Sequence, residues 1–203
     1  MKECYEGLPP IIEEIKEYGF KYFNDGNYDL NIIGVRRLNE RQHNQFDDYL
    51  YVAYTVDGVW MTERFDITTD AGSYWLTKPD YKPCAIYKHP QQARGAYKIG
   101  LHRGKYAALV QVQPVEFWRD ANKDEHADYN CSQVYKQKIG LNLHKSSSRE
   151  SGSFYVDKWS AGCQVFKYAD SEKGFGRFMK LCRLQVENLG YHTFTYTLIA
   201  KEL

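Results

Sequence analysis

The sequence predicts a single domain, residues 1–203, that is mainly β with flanking helices and so belongs to the α+β class. The 203 residues include 18 tyrosines, and aromatic residues make up 16% of the chain, which favours packed strands. Two strand-like runs flank Asp57-Gly58, a dipeptide typical of two-residue hairpin turns. Apolar residues at helical spacing occur near both termini, which predicts one helix at each end of the chain.

The first predicted element is an N-terminal helix over about residues 9–23. Pro9 and Pro10 suit a first helical turn, because the fixed φ of proline is already helical there. The apolar positions that define its buried face are Ile11, Ile12, Ile15, Tyr18 and Tyr22. The segment FNDGN then ends the pattern.

Strands dominate the middle of the chain. NIIGVRR (31–37) predicts a short strand, and LYVAYTVDGVWMTERFDITT (50–69) predicts a hairpin. Prolines and glycines break residues 71–100 into short strands and loops. KYAALVQVQPVEFW (105–118) is a further strand run that Pro114 interrupts.

The last third alternates loops with regular elements. DANKDEHADYN (120–130) is a polar loop, IGLNLH (139–144) is a short strand, and KSSSRESGS (145–153) is a second loop. Asp170 or Ser171 can cap a helix over about 172–189. The alternating run YHTFTYTLIA then predicts a final strand.

Composition excludes several classes of function. The net charge is +1, so we expect no nucleic-acid partner. The N-terminus carries acids and prolines where a signal peptide has an apolar core, and no run of about 18 apolar residues occurs. We therefore expect synthesis in the cytoplasm without a signal peptide and no insertion into a membrane. The five cysteines, an odd number, favour free thiols over a disulfide framework.

The segment WSAGC has features of a cysteine nucleophile. A catalytic cysteine needs a base, backbone donors for the oxyanion, and space for substrate. Gly162 permits a sharp, open turn before Cys163, so the backbone amides near Gly162 and Cys163 could hold the oxyanion, and Ser160 can orient that turn. His144, at the end of a predicted strand and separated from Ser160 by fifteen residues, is the candidate base.

Other interpretations of these residues remain open. Cys163 can be a buried thiol, since free cysteine is among the most buried residue types. A zinc site is conceivable from residue type alone, and its ligands would be His126, Cys131, His144 and Cys163. No metal or other cofactor is predicted, although one loop has oxygen ligands at alternate positions, as the start of a calcium loop does. The residues of that weak candidate site are Asp120, Asn122, Asp124 and Asp128.

His144, fifteen residues and then Ser160-Ala161-Gly162-Cys163 resemble the active-site signature of the L,D-transpeptidases, the YkuD-like family. Segments such as GLHRGKYAALVQ, NLH, WSAGCQVF and TFTYTLI also resemble a phage and prophage group, over about residues 28–199. The resemblance implies a β-sandwich or barrel core with its catalytic half at about 95–203. It also implies that Cys163 attacks an L,D peptide bond in peptidoglycan stem peptides, with His144 as the base.

The sequence departs from that family next to the cysteine. Ala161 stands where the family has histidine, Gln164 where it has an apolar residue, and Val165 where it has arginine or asparagine. These differences favour a hydrolase over a wall-building transferase, because a site that binds an acceptor amine poorly passes its acyl group to water. The predicted substrate-binding residues are Asn142, His102, Arg103, Trp159 and Gln164, and His102 with Arg103 would bind a stem-peptide carboxylate.

The biological role that the resemblance implies is a phage lysin or a virion-associated wall hydrolase in a bacterium. Such an enzyme reaches the wall after lysis, through a holin, or as part of the virion. Two alternatives stay open. One is a non-catalytic wall-binding or virion structural module that has kept the fold, and the other is a cysteine peptidase or amidase that acts on ordinary peptides.

Overall fold

The computed structural model describes residues 2–38, 44–147, 149, 151–169 and 172–202. The protein is mainly β, with 40% of the described residues in strands and 15% in helices. The strands are β1 (Lys2–Tyr5), β2 (Asn31–Arg37), β3 (Asp48–Val56), β4 (Val59–Thr68), β5 (Cys84–Tyr87), β6 (Gln91–His102), β7 (Tyr106–Gln111), β8 (Val115–Asp120), β9 (Tyr135–Gln137), β10 (Leu143–Lys145), β11 (Gln164–Phe166) and β12 (Thr193–Lys201). The helices are α1 (Pro10–Glu17), α2 (Ser73–Thr77) and α3 (Phe175–Leu189).

Eight strands close into a barrel in the order β4-β11-β10-β7-β6-β12-β2-β3, and β3 pairs with β4 to complete the ring. β1 is not part of this ring and pairs antiparallel with residues 60–63 of β4. Most neighbours are antiparallel, but β10 is parallel to β11 and β12 is parallel to β2. The parallel pair β10–β11 places the ends of two short strands side by side. The expected β-rich architecture with helices near both ends is confirmed at this level.

The barrel interior holds the main apolar core. Phe166 of β11 contacts Phe65 of β4 at a ring-centroid distance of 5.7 Å, and Phe178 of α3 at 4.8 Å. Phe175 adds a further ring contact at 5.3 Å from Phe166. Aromatic pairs of this kind add to the free energy that apolar burial supplies. Helix α3 therefore packs against the strand that follows Cys163 and keeps it in place.

The predicted hairpin around Asp57-Gly58 is confirmed. Val56 pairs with Val59, and φ is +50° at Asp57 and +79° at Gly58. Positive φ at both central residues is what a two-residue hairpin of this twist requires, and it explains why Asp and Gly occupy these positions.

Both terminal helices are shorter than predicted. Helix α1 ends at Glu17 because Gly19 follows with φ of +73°, so Tyr18 and Tyr22 do not join its buried face. Helix α3 begins at Phe175, and Gly190 ends it with φ of +68°. The predicted cap residues Asp170 and Ser171 lie outside the described residues, as do Ser148 and Glu150 of the second predicted loop.

A second, three-stranded sheet in the order β5-β8-β9 lies beside the barrel. The predicted interruption at Pro114 is present, because Pro114 separates β7 from β8. The two strands also belong to different sheets. Ala85 of β5 donates a backbone hydrogen bond to Ala161 O at 3.4 Å, so this sheet contacts the WSAGC segment. No helix in the described ranges is long and apolar enough to span a membrane.

Candidate active site

A cavity of about 300 Å³ opens beside the paired ends of β10 and β11. Most of the residues singled out in the sequence lie on its wall: Cys163, His144, His102, Arg103, Asn142 and Trp159. Ser160, Gly162 and Gln164 lie behind that wall rather than on it. The fold therefore brings the predicted nucleophile and the predicted base to one site from separate parts of the chain.

The turn before Cys163 is held by Ser160. Its buried Oγ accepts a hydrogen bond from Gly162 N at 3.1 Å and donates one to Cys163 O at 2.8 Å. Gly162 has φ of +130°, and a Cβ there would lie 2.2 Å from Ala85 O, so no other residue fits. Because the Gly162 amide is already donated to Ser160, the prediction that it holds an oxyanion does not fit this geometry.

The thiol of Cys163 is half-buried and donates to Gly140 O at 3.4 Å. Burial raises the pKa of Cys163 to about 11, although a backbone hydrogen bond from Asn142 and the charge of Arg103 act in the opposite direction. At neutral pH the resting side chain is thus a protonated thiol, and it would have to lose its proton before it could act as a nucleophile.

His144 is buried on β10, where it pairs with Val165 of β11. Its Nδ1 lies 2.8 Å from Lys145 O. A carbonyl oxygen can only accept, so Nδ1 carries the proton and Nε2 keeps its lone pair. Burial, and then the neighbouring His102, lower the pKa of His144 to about 3, so the imidazole is neutral and can accept a proton.

His102 stacks on His144, with ring centroids 4.1 Å apart and ring planes 26° from parallel. Asn142 Oδ1 accepts from Gln111 N at 2.9 Å, so its Nδ2 must donate to His102 Nδ1 at 3.1 Å. The proton of His102 is therefore on Nε2. Burial lowers the pKa of His102 to about 4, and the pair consists of one acceptor and one donor imidazole, both neutral.

Gln111 organises the loop that faces Cys163, and nothing in the sequence singled it out. Its buried Oε1 accepts three consecutive backbone amides, from Ile139 at 3.1 Å and from Gly140 and Leu141 at 2.9 Å each. These bonds shape residues 139–141 as a loop, so the predicted strand 139–144 is reduced to Leu143–Lys145. The one sequence signal that could have identified Gln111 is that it is a polar residue within the largely apolar run KYAALVQV.

We expect Gln111→Leu to lower the free energy of unfolding by about 2–4 kcal/mol, because the buried amide of Leu141 and the partly buried amides of Ile139 and Gly140 lose their acceptor together. Chemical denaturation measures the change. Gln113→Leu is the matched control, since Gln113 is exposed on the same segment, and it should stay within about 0.5 kcal/mol of the wild type. Equal losses in the two variants would contradict the role of Gln111.

Gln164 does not occupy the place predicted for it. Its side chain is fully buried, its Oε1 accepts from Tyr196 OH at 2.9 Å, and its Nε2 donates to Gly162 O at 3.4 Å. Gln164 therefore ties β11 to β12 and does not reach the cavity. Val165 is also buried, against Phe46 and Val156.

The acidic loop after β8 forms hydrogen bonds within itself. Asn122 Nδ2 donates to Asp124 Oδ2 at 3.0 Å and to Asp128 Oδ2 at 2.9 Å, and Asp128 N donates to Asp120 Oδ2 at 3.0 Å. Across the described residues, no group of three or more His, Cys, Asp or Glu side chains is placed to hold a metal. His126 belongs to this loop and does not line the cavity, so the zinc grouping is not assembled.

The pKa of Cys163 gives a direct expectation for its reactivity. The rate of alkylation by iodoacetamide should rise about tenfold per pH unit from pH 7 to 10, because only the thiolate reacts and its fraction grows until the pKa near 11. Peptide mapping by mass spectrometry at each pH would follow Cys163 alone. A rate that is already constant below pH 8 would show a preformed thiolate and contradict the neutral resting pair.

Comparison with known proteins adds no assignment: no protein-family model, curated protein or solved structure matches this chain.

Proposed function

We propose that the protein is a cysteine-dependent enzyme that cleaves or exchanges an L,D peptide bond in the stem peptides of peptidoglycan. One observation carries this proposal. Cys163 and His144 line the same cavity, and His144 presents an unprotonated Nε2 because its Nδ1 proton is held by Lys145 O. The order of histidine before cysteine and the Ser-x-Gly-Cys turn support an L,D-transpeptidase-like fold and active site. In papain-like peptidases the cysteine comes first.

The proposed reaction uses the neutral pair. Cys163 Sγ attacks the carbonyl on the L-centre side of the bond while His144 Nε2 takes the thiol proton, which avoids a free thiolate in the buried site. The tetrahedral intermediate places its oxyanion near the Cys163 N–H, and His102 Nε2–H is a second donor on the cavity wall. The C–N bond then breaks as His144 returns the proton to the leaving amine, and a thioester remains on Cys163.

Water or a second amine completes the cycle by attacking the thioester, with His144 again accepting a proton. We favour hydrolysis. Gln164 and Val165 stand where the L,D-transpeptidase signature has an apolar residue and an arginine or asparagine, and both are buried here. A site without that recognition element has less affinity for an acceptor stem, so water competes better.

The proposed setting is a phage lysin or a virion-associated wall hydrolase. Its partners would be peptidoglycan stem peptides, and it would act on the cell wall after lysis, after release through a holin, or from the virion.

A non-catalytic module that binds the wall is the second candidate. The observation that favours it is the resting protonation of the site, since the pKa of Cys163 lies at about 11 and that of His144 at about 3. Transfer of the thiol proton from Cys163 to His144 is therefore unfavourable in free energy until the sulfur attacks a substrate carbonyl. Binding of stem peptides without any product would support this candidate.

The test is incubation of the protein with purified muropeptides and, separately, with a panel of ordinary L-peptides, followed by mass spectrometry. The proposal predicts stem peptides shortened or exchanged at an L,D bond and no cleavage of the L-peptides. Cleavage confined to the L-peptides would instead assign the cysteine peptidase. Intact substrates in both sets would contradict an enzymatic role.

A further inference from the structure

The cavity that holds Cys163 is strongly cationic. Lys82, Arg103 and Arg119 are on its wall, and no aspartate or glutamate is among the described residues that line it. Arg103 comes from the turn between β6 and β7. Lys82 lies in the loop before β5, and Arg119 lies on β8 of the second sheet. Positive charge on two sides of a concave site favours an anionic ligand.

Arg119 is the most constrained of these cations. Its Nη1 donates to Pro83 O at 2.8 Å, and its Cζ lies 4.9 Å from the centroid of the Phe117 ring and 5.9 Å from that of Tyr135. These contacts hold the guanidinium in one orientation. A guanidinium has five N–H donors, so a fixed Arg119 has donors left for a bidentate bond to a carboxylate.

The position of Arg119 relative to the nucleophile is fixed by the second sheet. Arg119 pairs with Ala85 across β8 and β5, so their side chains project from the same face of the sheet. That face meets the nucleophile turn, because a Cβ at Gly162 would lie 3.1 Å from the Cβ of Ala85. Ala85 N also donates to Ala161 O. The backbone of Arg119 is therefore held at a fixed distance from Cys163 by this docking.

We infer that Arg119, with Lys82 and Arg103 at the rim, forms a carboxylate subsite beside Cys163, and that the enzyme selects stem peptides with a free carboxylate next to the scissile bond. The inference rests on the proposed function and names its specificity.

The test compares two synthetic stem peptides, one with a free carboxylate beside the L,D bond and one with that carboxylate converted to an amide. For the wild type we expect a KM on the order of 10- to 100-fold lower for the acid, the effect of a bidentate charged hydrogen bond. Arg119→Gln should remove this preference by raising KM for the acid, with kcat and the alkylation rate of Cys163 nearly unchanged. Arg94→Gln, an exposed cation outside the cavity, should keep the preference.

An equal KM for acid and amide in the wild type, or an equal loss on both substrates in Arg119→Gln, would overturn the inference. Calorimetric titration of the Cys163→Ala variant with both peptides gives an answer that does not depend on turnover. Tighter binding of the acid, lost on adding Arg119→Gln, would support the subsite even if the wild type cleaves neither peptide. Equal affinities would contradict the subsite, whereas absent cleavage with selective binding would contradict only the enzymatic function.

Discussion

Cys163→Ala should lower the rate of stem-peptide cleavage by about 1,000-fold or more, because alanine cannot form the thioester of the proposed reaction. The fold should be retained. The half-buried thiol donates a weak hydrogen bond to Gly140 O and accepts one from the backbone of Asn142, so little stability is lost with it. Muropeptide analysis by mass spectrometry measures the rate, and thermal unfolding checks the fold.

Cys131→Ala is the matched control for that variant. Cys131 is a half-exposed thiol that does not line the cavity, so its loss should leave the cleavage rate within about twofold of the wild type. A Cys163→Ala protein that still cleaves at the wild-type rate would contradict the assignment of Cys163 as the nucleophile.

His144→Gln should lower kcat by on the order of 100- to 10,000-fold, the usual contribution of a general base. Glutamine keeps a polar side chain of similar reach but has no nitrogen lone pair to accept the thiol proton. Because the pKa of His144 is lowered to about 3, the wild-type imidazole stays neutral on acidification to about pH 4. We therefore expect no loss of base function between pH 7 and 5 in the wild type, measured as kcat.

His192→Gln serves as the control for a general effect of losing a histidine. His192 is exposed and lies outside the cavity of Cys163, so its replacement should leave kcat unchanged. A His144→Gln variant with wild-type kcat, or a wild-type kcat that falls tenfold between pH 7 and 5, would contradict His144 as a neutral base.

The parts of the fold that the sequence predicted are those with a local cause. The hairpin at Asp57-Gly58 depends on two residues that accept positive φ, and the boundary at Pro114 depends on a missing N–H. The predicted end of α1, at about residue 23, lies about six residues beyond its observed end at Glu17, because Gly19 stops the helix while the apolar spacing continues to Tyr22. The periodicity of apolar residues alone does not show that a glycine will end the helix before the next tyrosine in the pattern.

The candidate site could be predicted only where its residues are close in the chain. Ser160, Gly162 and Cys163 form one turn, so their arrangement follows from local spacing. Gln111 and Arg119 reach the site through sheet pairing, and no local pattern indicates which strands will meet. The same applies to Gln164, because its hydrogen-bond partner Tyr196 lies on another strand. That bond keeps the Gln164 side chain inside the barrel.

The tautomers of the histidine pair also could not be read from the sequence. They depend on Lys145 O as an acceptor for His144 and on Asn142 as a donor to His102. The Lys145 contact lies within β10, but Asn142 reaches His102, and is oriented by Gln111 N, only once β6, β7 and β10 are side by side in the barrel. The sequence identified His144 and His102 as candidates, and the folded barrel assigns each imidazole a donor or acceptor function.

The most direct measurement is intact-protein mass spectrometry after rapid acid quenching of a reaction with a stem-peptide thioester, whose good leaving group makes acylation fast. The account predicts a mass increase equal to the transferred acyl group, located by peptide mapping on Cys163 and absent from Cys163→Ala. An acyl group on another residue, or product release while Cys163 stays unmodified throughout, would contradict Cys163 as the nucleophile.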